Sequence, residues 1–144
     1  MSNEPTTLPS AMPELRVVPM PADENFYGDI FGGWVMSHVD LAGGIAAIRR
    51  AQGRVATVAV NCFSFKQPIS VGDQVSFYTN IVRVGRTSIT VDVQVYAVRN
   101  PMAPIVVKVT EAQLTYVALA ADGRKREVPP AVPSAVPSAV PPAV

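Results

Sequence analysis

Between residues 86 and 100 the chain alternates: Ile89, Val91, Val93 and Val95 fall on one side and Ser88, Thr90, Asp92 and Gln94 on the other. That period of two predicts a half-buried strand. Runs rich in Val, Ile, Phe, Tyr and Thr fill residues 55–66, 74–84 and 105–119, separated by the turn signals Val71-Gly72-Asp73, Val84-Gly85-Arg86 and Asn100-Pro101. A shorter run lies at residues 15–18. Residues 33–50 differ, because Trp34, Leu41, Ile45 and Ile48 fall on one helical stripe and Val35, Val39 and Ala46 widen it almost all the way round. This predicts a buried helix. Asp29 just ahead of it and Arg49 and Arg50 at its end match the helix dipole. Strand, helix, then four strands is the order of an α+β fold, with an antiparallel sheet wrapping the helix so that both bury their apolar faces.

Composition narrows the picture. The 144 residues argue for one domain with one core. Of the 14 prolines, all but Pro68, Pro101 and Pro104 lie near the two ends. The expected layout is a flexible N-terminal segment at 1–13, one compact domain at 14–129 and a disordered Pro/Ala/Val-rich tail at 130–144, whose AVPS repeat favours extended polyproline-like chain. With 49% hydrophobic and 16% charged residues the chain is no disordered polyelectrolyte, and subunit surface to bury becomes plausible. A formal charge of +1 lacks the broad basic field of a nucleic-acid binder. One cysteine, Cys62, and one histidine, His38, exclude an internal disulfide and make a structural metal cage improbable. No leader pattern or apolar stretch of membrane-spanning length is present, so cytoplasmic residence is the expectation.

Residues 25–44, NFYGDIFGGWVMSHVDLAGG, hold five of the nine glycines. Gly32 and Gly33 fall where the helix begins, where free backbone N–H groups can meet an oxyanion, although a glycine pair there also serves plain backbone geometry. Asp40 is about two turns into the apolar helix. Burial would raise its pKa and suit it to general-base work, or it is a structural carboxylate held by backbone or by His38.

The run Pro21-Ala22-Asp23, Asn25-x-x-Gly28-Asp29-Ile30-Phe31-Gly32-Gly33-Trp34-x-Met36-Ser37-x-x-Asp40, then Gly53-Arg54-Val55-x-Thr57-Val58-Ala59-Val60, resembles the YciA-type acyl-CoA thioesterases of the hotdog superfamily. Phe65-x-x-Pro68-Ile69-x-Val71-Gly72-Asp73, Gly85-Arg86-Thr87-Ser88-Ile89 and Gly123-Arg124-x-Arg126 agree, so that residues 15–130 are covered. The resemblance implies a hotdog fold of about five to six strands around a central helix, dimers formed edge to edge and commonly hexamers of three dimers. It also implies hydrolysis of acyl-CoA without metal or redox cofactor, with Asp40 as base or nucleophile and Asn25 contributed by the facing subunit.

Physical roles can be attached to these positions. A carboxylate at Asp40 deprotonates water or attacks the thioester directly, and N–H groups of Gly32, Gly33 or Trp34 hold the oxyanion. Arg86, Thr87, Ser88, Arg124 and Arg126 suit the phosphates of coenzyme A by type, and equally suit solvated turns. Phe26-Tyr27 and Asn61 depart from the family pattern. Cys62 reads as a small core residue, His38 as structural and Trp34 as packing at the helix start. Two alternatives to hydrolysis stand: a silent acyl-CoA binder, and a hotdog hydratase, whose D-x-N-x-x-H pattern stops here at Asp23-x-Asn25, with Gly28 in the histidine's place.

Overall fold

The computed structural model describes residues 5–133. Residues 134–144, most of the expected tail, lie outside them, as do residues 1–4. Strand β1 (Leu15–Val17) is followed by a single 3-10 turn (Pro21–Asp23), the helix α1 (Gly32–Ala51) and strands β2 (Val55–Phe65), β3 (Gln74–Val84), β4 (Ser88–Arg99) and β5 (Ile105–Ala118). All pairings are antiparallel, in the order β1-β3-β4-β5-β2. Sequence neighbours β3, β4 and β5 pair directly, whereas β1 and β2 occupy the edges. This is the hotdog architecture, with five strands.

Alternation does the work expected of it in the middle of the sheet. Ile89, Val91, Val93 and Val95 of β4 are fully buried, as are Val75 and Phe77 of β3. The turns rest on local chemistry. Gly72 has a φ of 88°, a conformation L side chains rarely adopt, and Asp73 accepts from the Ser70 N–H while Arg99 donates to it at 3.0 Å.

The helix corrects the expected stripe. Its sheet-facing side is Val35, Val39, Ala42, Gly43, Ala46, Ala47 and Ala51, while Met36, Leu41 and Ile48 are about half exposed. Small residues face the sheet because the sheet comes close: a Cβ on Gly43 would stand 2.4 Å from the Tyr116 hydroxyl. A helix apolar all round gives no signal for which face is inward, and here the larger side chains turn out. The start differs too: the helix begins at Gly32 after Phe31, with no acidic residue in its first turn. Asp29 instead belongs to the preceding loop, where its backbone pairs with Asn25. The other end is closed by Gln52 in the left-handed region (φ 54°), with Arg49 and Arg50 in the last turn.

Strand β2 is the long exposed edge. Val58, Val60 and Phe65 stand open, and pairing shifts at Thr57/Ala59 and Val60/Cys62 break the alternation. Cys62 is consequently exposed and not a core residue. Trp34 is half-buried against His38 and Phe77, and the His38 Nδ1 bonds the Trp34 carbonyl at 2.8 Å. Among the described residues no helix is long and apolar enough to cross a membrane.

Candidate active site

Asp40 projects from α1 beside the strands and is exposed rather than buried. Its Oδ1 accepts from the Thr57 hydroxyl at 2.6 Å and from the Tyr116 hydroxyl at 3.1 Å; the latter also lies 2.9 Å from the Asp40 carbonyl oxygen. His38 takes no part. Burial, with the neighbouring carboxylate, pushes the Tyr116 phenol well above its ordinary range, so it remains a donor at all working pH. Among the described residues Oδ2 makes no hydrogen bond. One oxygen is therefore clamped and the other is free, at a cleft of about 210 Å³ lined by Asp40, Leu41, Gly44, Ile48, Thr57 and Tyr116. The Leu41 and Ile48 stripe that the sequence suggested for the core borders this cleft instead.

The second group of candidates sits at the helix start. Asn25 Oδ1 accepts from the backbone N–H of Tyr27 at 2.9 Å and of Asp29 at 3.1 Å, shaping a loop that Gly28 closes with φ 86°. The acceptor end of the amide is spent on the loop, which leaves its NH₂ end to donate. Gly32 and Gly33 occupy the first two helical positions, where N–H groups have no intrahelical partner. Around Gly33 nothing stands within 4 Å of a would-be Cβ. Trp34 is different, because its N–H already donates to the Phe31 carbonyl at 3.0 Å. It is removed from the set of free donors. A second cleft, about 410 Å³, opens here between Gly32, Ile30, Val35, Phe65, Ile69 and Thr110.

These two groups do not meet within one chain. Asp40 lies eight residues beyond Gly32, about 12 Å along the helix at 1.5 Å per residue.

The candidate phosphate contacts collect at one end of the sheet, because the Val128 N–H bonds the Arg86 carbonyl and the Ala118 N–H bonds that of Thr87. Ser88 opens β4 opposite Val117, one rung from Tyr116. Arg86 and Arg124 are exposed, each beside a carboxylate, Glu127 at 3.6 Å and Asp122 at 3.7 Å. Arg126 is engaged otherwise: its guanidinium donates to the carbonyls of Ala51, Leu119 and Glu127, tying the last turn of α1 to the segment after β5. Among the described residues no three His, Cys, Asp or Glu side chains are placed to share a metal ion.

Tyr116, Thr57 and Gly43 are the participants that the sequence reading passed over. Glycines inside a helix, here Gly43 and Gly44, each costing about 1 kcal/mol against alanine, are the available signal that something must approach there. Nothing local marks Tyr116, which is 76 residues from its partner.

The thioesterase superfamily model matches residues 27–103. The acyl-CoA thioester hydrolase YciA of Salmonella typhimurium is 45% identical over 117 residues, 80% of this chain and 88% of its own. A hexameric hotdog-fold thioesterase of Campylobacter jejuni superposes with a TM-score of 0.79 at 42% identity, covering 83% of this chain and 91% of that one. The acyl-CoA hydrolase of Staphylococcus aureus has been solved as two variants, each 26% identical to this chain and covering 80% of it and 70% of their own, with TM-scores of 0.74 and 0.73. In one an aspartate, and in the other a threonine 17 positions later, is replaced by alanine. Asp40 and Thr57 stand at the same separation. The fold and this constellation define a hotdog thioesterase, and the chain belongs to the thioesterase superfamily.

Proposed function

We propose that the protein hydrolyses acyl-CoA thioesters to a carboxylic acid and coenzyme A, in active sites completed by two subunits. The observation that carries this reading is the split of the machinery: a carboxylate with one oxygen clamped and one free on one side, and free donors about 12 Å along the same helix. Edge-to-edge pairing of two copies along β2, whose outer edge and apolar residues are open, would set Asp40 of one subunit against Asn25, Gly32 and Gly33 of the other. The hexameric assembly of the Campylobacter relative supports such pairing.

In this site the thioester carbonyl oxygen accepts from the Gly32 and Gly33 N–H groups, at the positive end of the helix dipole, and from the Asn25 amide. Asp40 Oδ2 takes a proton from water as the oxygen adds to the carbonyl carbon. Alternatively it adds itself, giving an anhydride that water then opens. In either route the C–S bond breaks, the electron pair leaves on sulfur and a proton returns to the thiolate. Water is the only co-reactant, and coenzyme A enters as part of the substrate. Arg86, Thr87, Ser88 and Arg124 remain the groups for its phosphates, and Arg126 supports them from behind. The cytoplasm is the proposed place of work.

Asp40→Asn keeps size and the Thr57 hydrogen bond but removes the base. Thiol release from short, medium and long acyl-CoA substrates should fall by about 10²–10⁴-fold with folding and oligomeric size unchanged. Equal turnover by both proteins would remove Asp40 from the chemistry, and binding without release by the wild type would leave the silent binder.

A further inference from the structure

The cleft at the helix start is bordered by a residue whose buried side-chain oxygen the hydrolytic mechanism leaves unused. Thr110 lies on β5 between Phe65 of β2 and Val95 of β4 and is 1% exposed. Its hydroxyl is, among the described residues, the one buried side-chain oxygen or nitrogen without a hydrogen-bond partner. The residue lines the cleft of about 410 Å³ with Ile30, Val35, Phe65 and Ile69. Valine has nearly the same shape, favours strands and would fill this place without a stranded hydroxyl, so an unpartnered threonine here is a cost that a ligand oxygen would relieve. The helix-facing row of β5 sharpens the point. Ala112 and Leu114 are its buried middle, and hydroxyls stand only at Tyr116, which serves Asp40, and at Thr110.

We propose that Thr110 is a specificity-determining residue. The cleft takes the acyl part of the thioester, and the Thr110 hydroxyl bonds an oxygen carried by that acyl group, favouring short hydroxyacyl or oxoacyl thioesters over hydrocarbon chains of equal length. The inference rests on the reading above, because Gly32, which holds the thioester carbonyl there, borders the same cleft and so directs the chain into it. The side chains of Ile30, Val35, Phe65 and Ile69 and this volume suit a chain of a few carbons; of the polar residues in the lining Lys66 and Gln67 are exposed, and Thr110 is the buried one that supplies the selectivity.

Calorimetric binding of butyryl-CoA, 3-hydroxybutyryl-CoA and 4-hydroxybutyryl-CoA to the Asp40→Asn protein tests it. At least one hydroxyacyl thioester should bind about five- to tenfold more tightly than butyryl-CoA. Adding Thr110→Val should bring that ratio to about one and raise the unfolding temperature of the unliganded protein, while Thr110→Ser should keep the preference. Equal affinities with Thr110 present, or a preference that survives Thr110→Val, would overturn the assignment. Failure of the thioesterase reading registers separately, as wild-type protein that binds these thioesters with the same preference and releases no thiol. If none of them binds, both readings fall.

Discussion

The two halves of the candidate site are built in opposite ways. At the helix start the donors are backbone N–H groups, presented because Gly32 and Gly33 begin α1 and because the Asn25 side chain folds its own loop within four residues. At Asp40 the working group is a side chain, and its holders, Thr57 and Tyr116, come from two strands that lie 17 and 76 residues away. Local sequence suffices to make the first half, whereas only the closed sheet makes the second. Changes near the loop should therefore act on donation, and changes in the strands on how the carboxylate is held.

The sharpest test asks whether the halves come from different subunits. Asp40→Asn protein, nearly inactive, and Asn25→Asp protein, about tenfold slowed, should together regain roughly a quarter of wild-type activity when dissociated and reassembled, because random pairing returns one intact site to each mixed dimer. Activity that stays at the level of the separate variants would place each site within one chain. Next in size is Gly43→Ala. The new Cβ would meet the Tyr116 hydroxyl in a buried position, with an expected cost of about 1–3 kcal/mol in urea unfolding together with lost turnover.

Asn25→Asp by itself separates shape from donation. It keeps the acceptor that shapes the loop and loses the NH₂ donor, so the melting temperature should hold while kcat falls by about tenfold, the effect of one hydrogen bond to a developing charge. A variant that melts early would instead assign Asn25 to the loop alone. Tyr116→Phe should cost less, about fivefold in kcat/KM, because the Asp40 carboxylate loses one of its two donors and is held less firmly.

The smallest effect is expected at a surface ion pair of β5. Glu111, held below the usual carboxylate range chiefly by its hydrogen bond from Lys108, should stabilise the fold above the carboxylate's unfolded pKa. That contribution is lost as pH falls through the depressed folded value. Glu111→Gln should accordingly be slightly less stable than wild type at neutral pH and equal to it in strong acid, measured as thermal midpoints across pH.

Much of this was legible along the chain. Val and Ile alternation marked β4, glycine-bearing turns bounded the strands, and the motif running from Asn25 to Asp40 holds the residues proposed for both halves of the site. These signals are local, since a strand's two faces, a tight turn and a helix start each depend on residues within a few positions. The inward face of α1, the exposure of Cys62, the engagement of Arg126 with the carbonyl of Ala51, and the clamp on Asp40 were decided only by the tertiary structure. A helix apolar all round does not say which side meets the sheet. Only when β5 crosses behind it does Tyr116 reach over Gly43 to the carboxylate and fix its inward face.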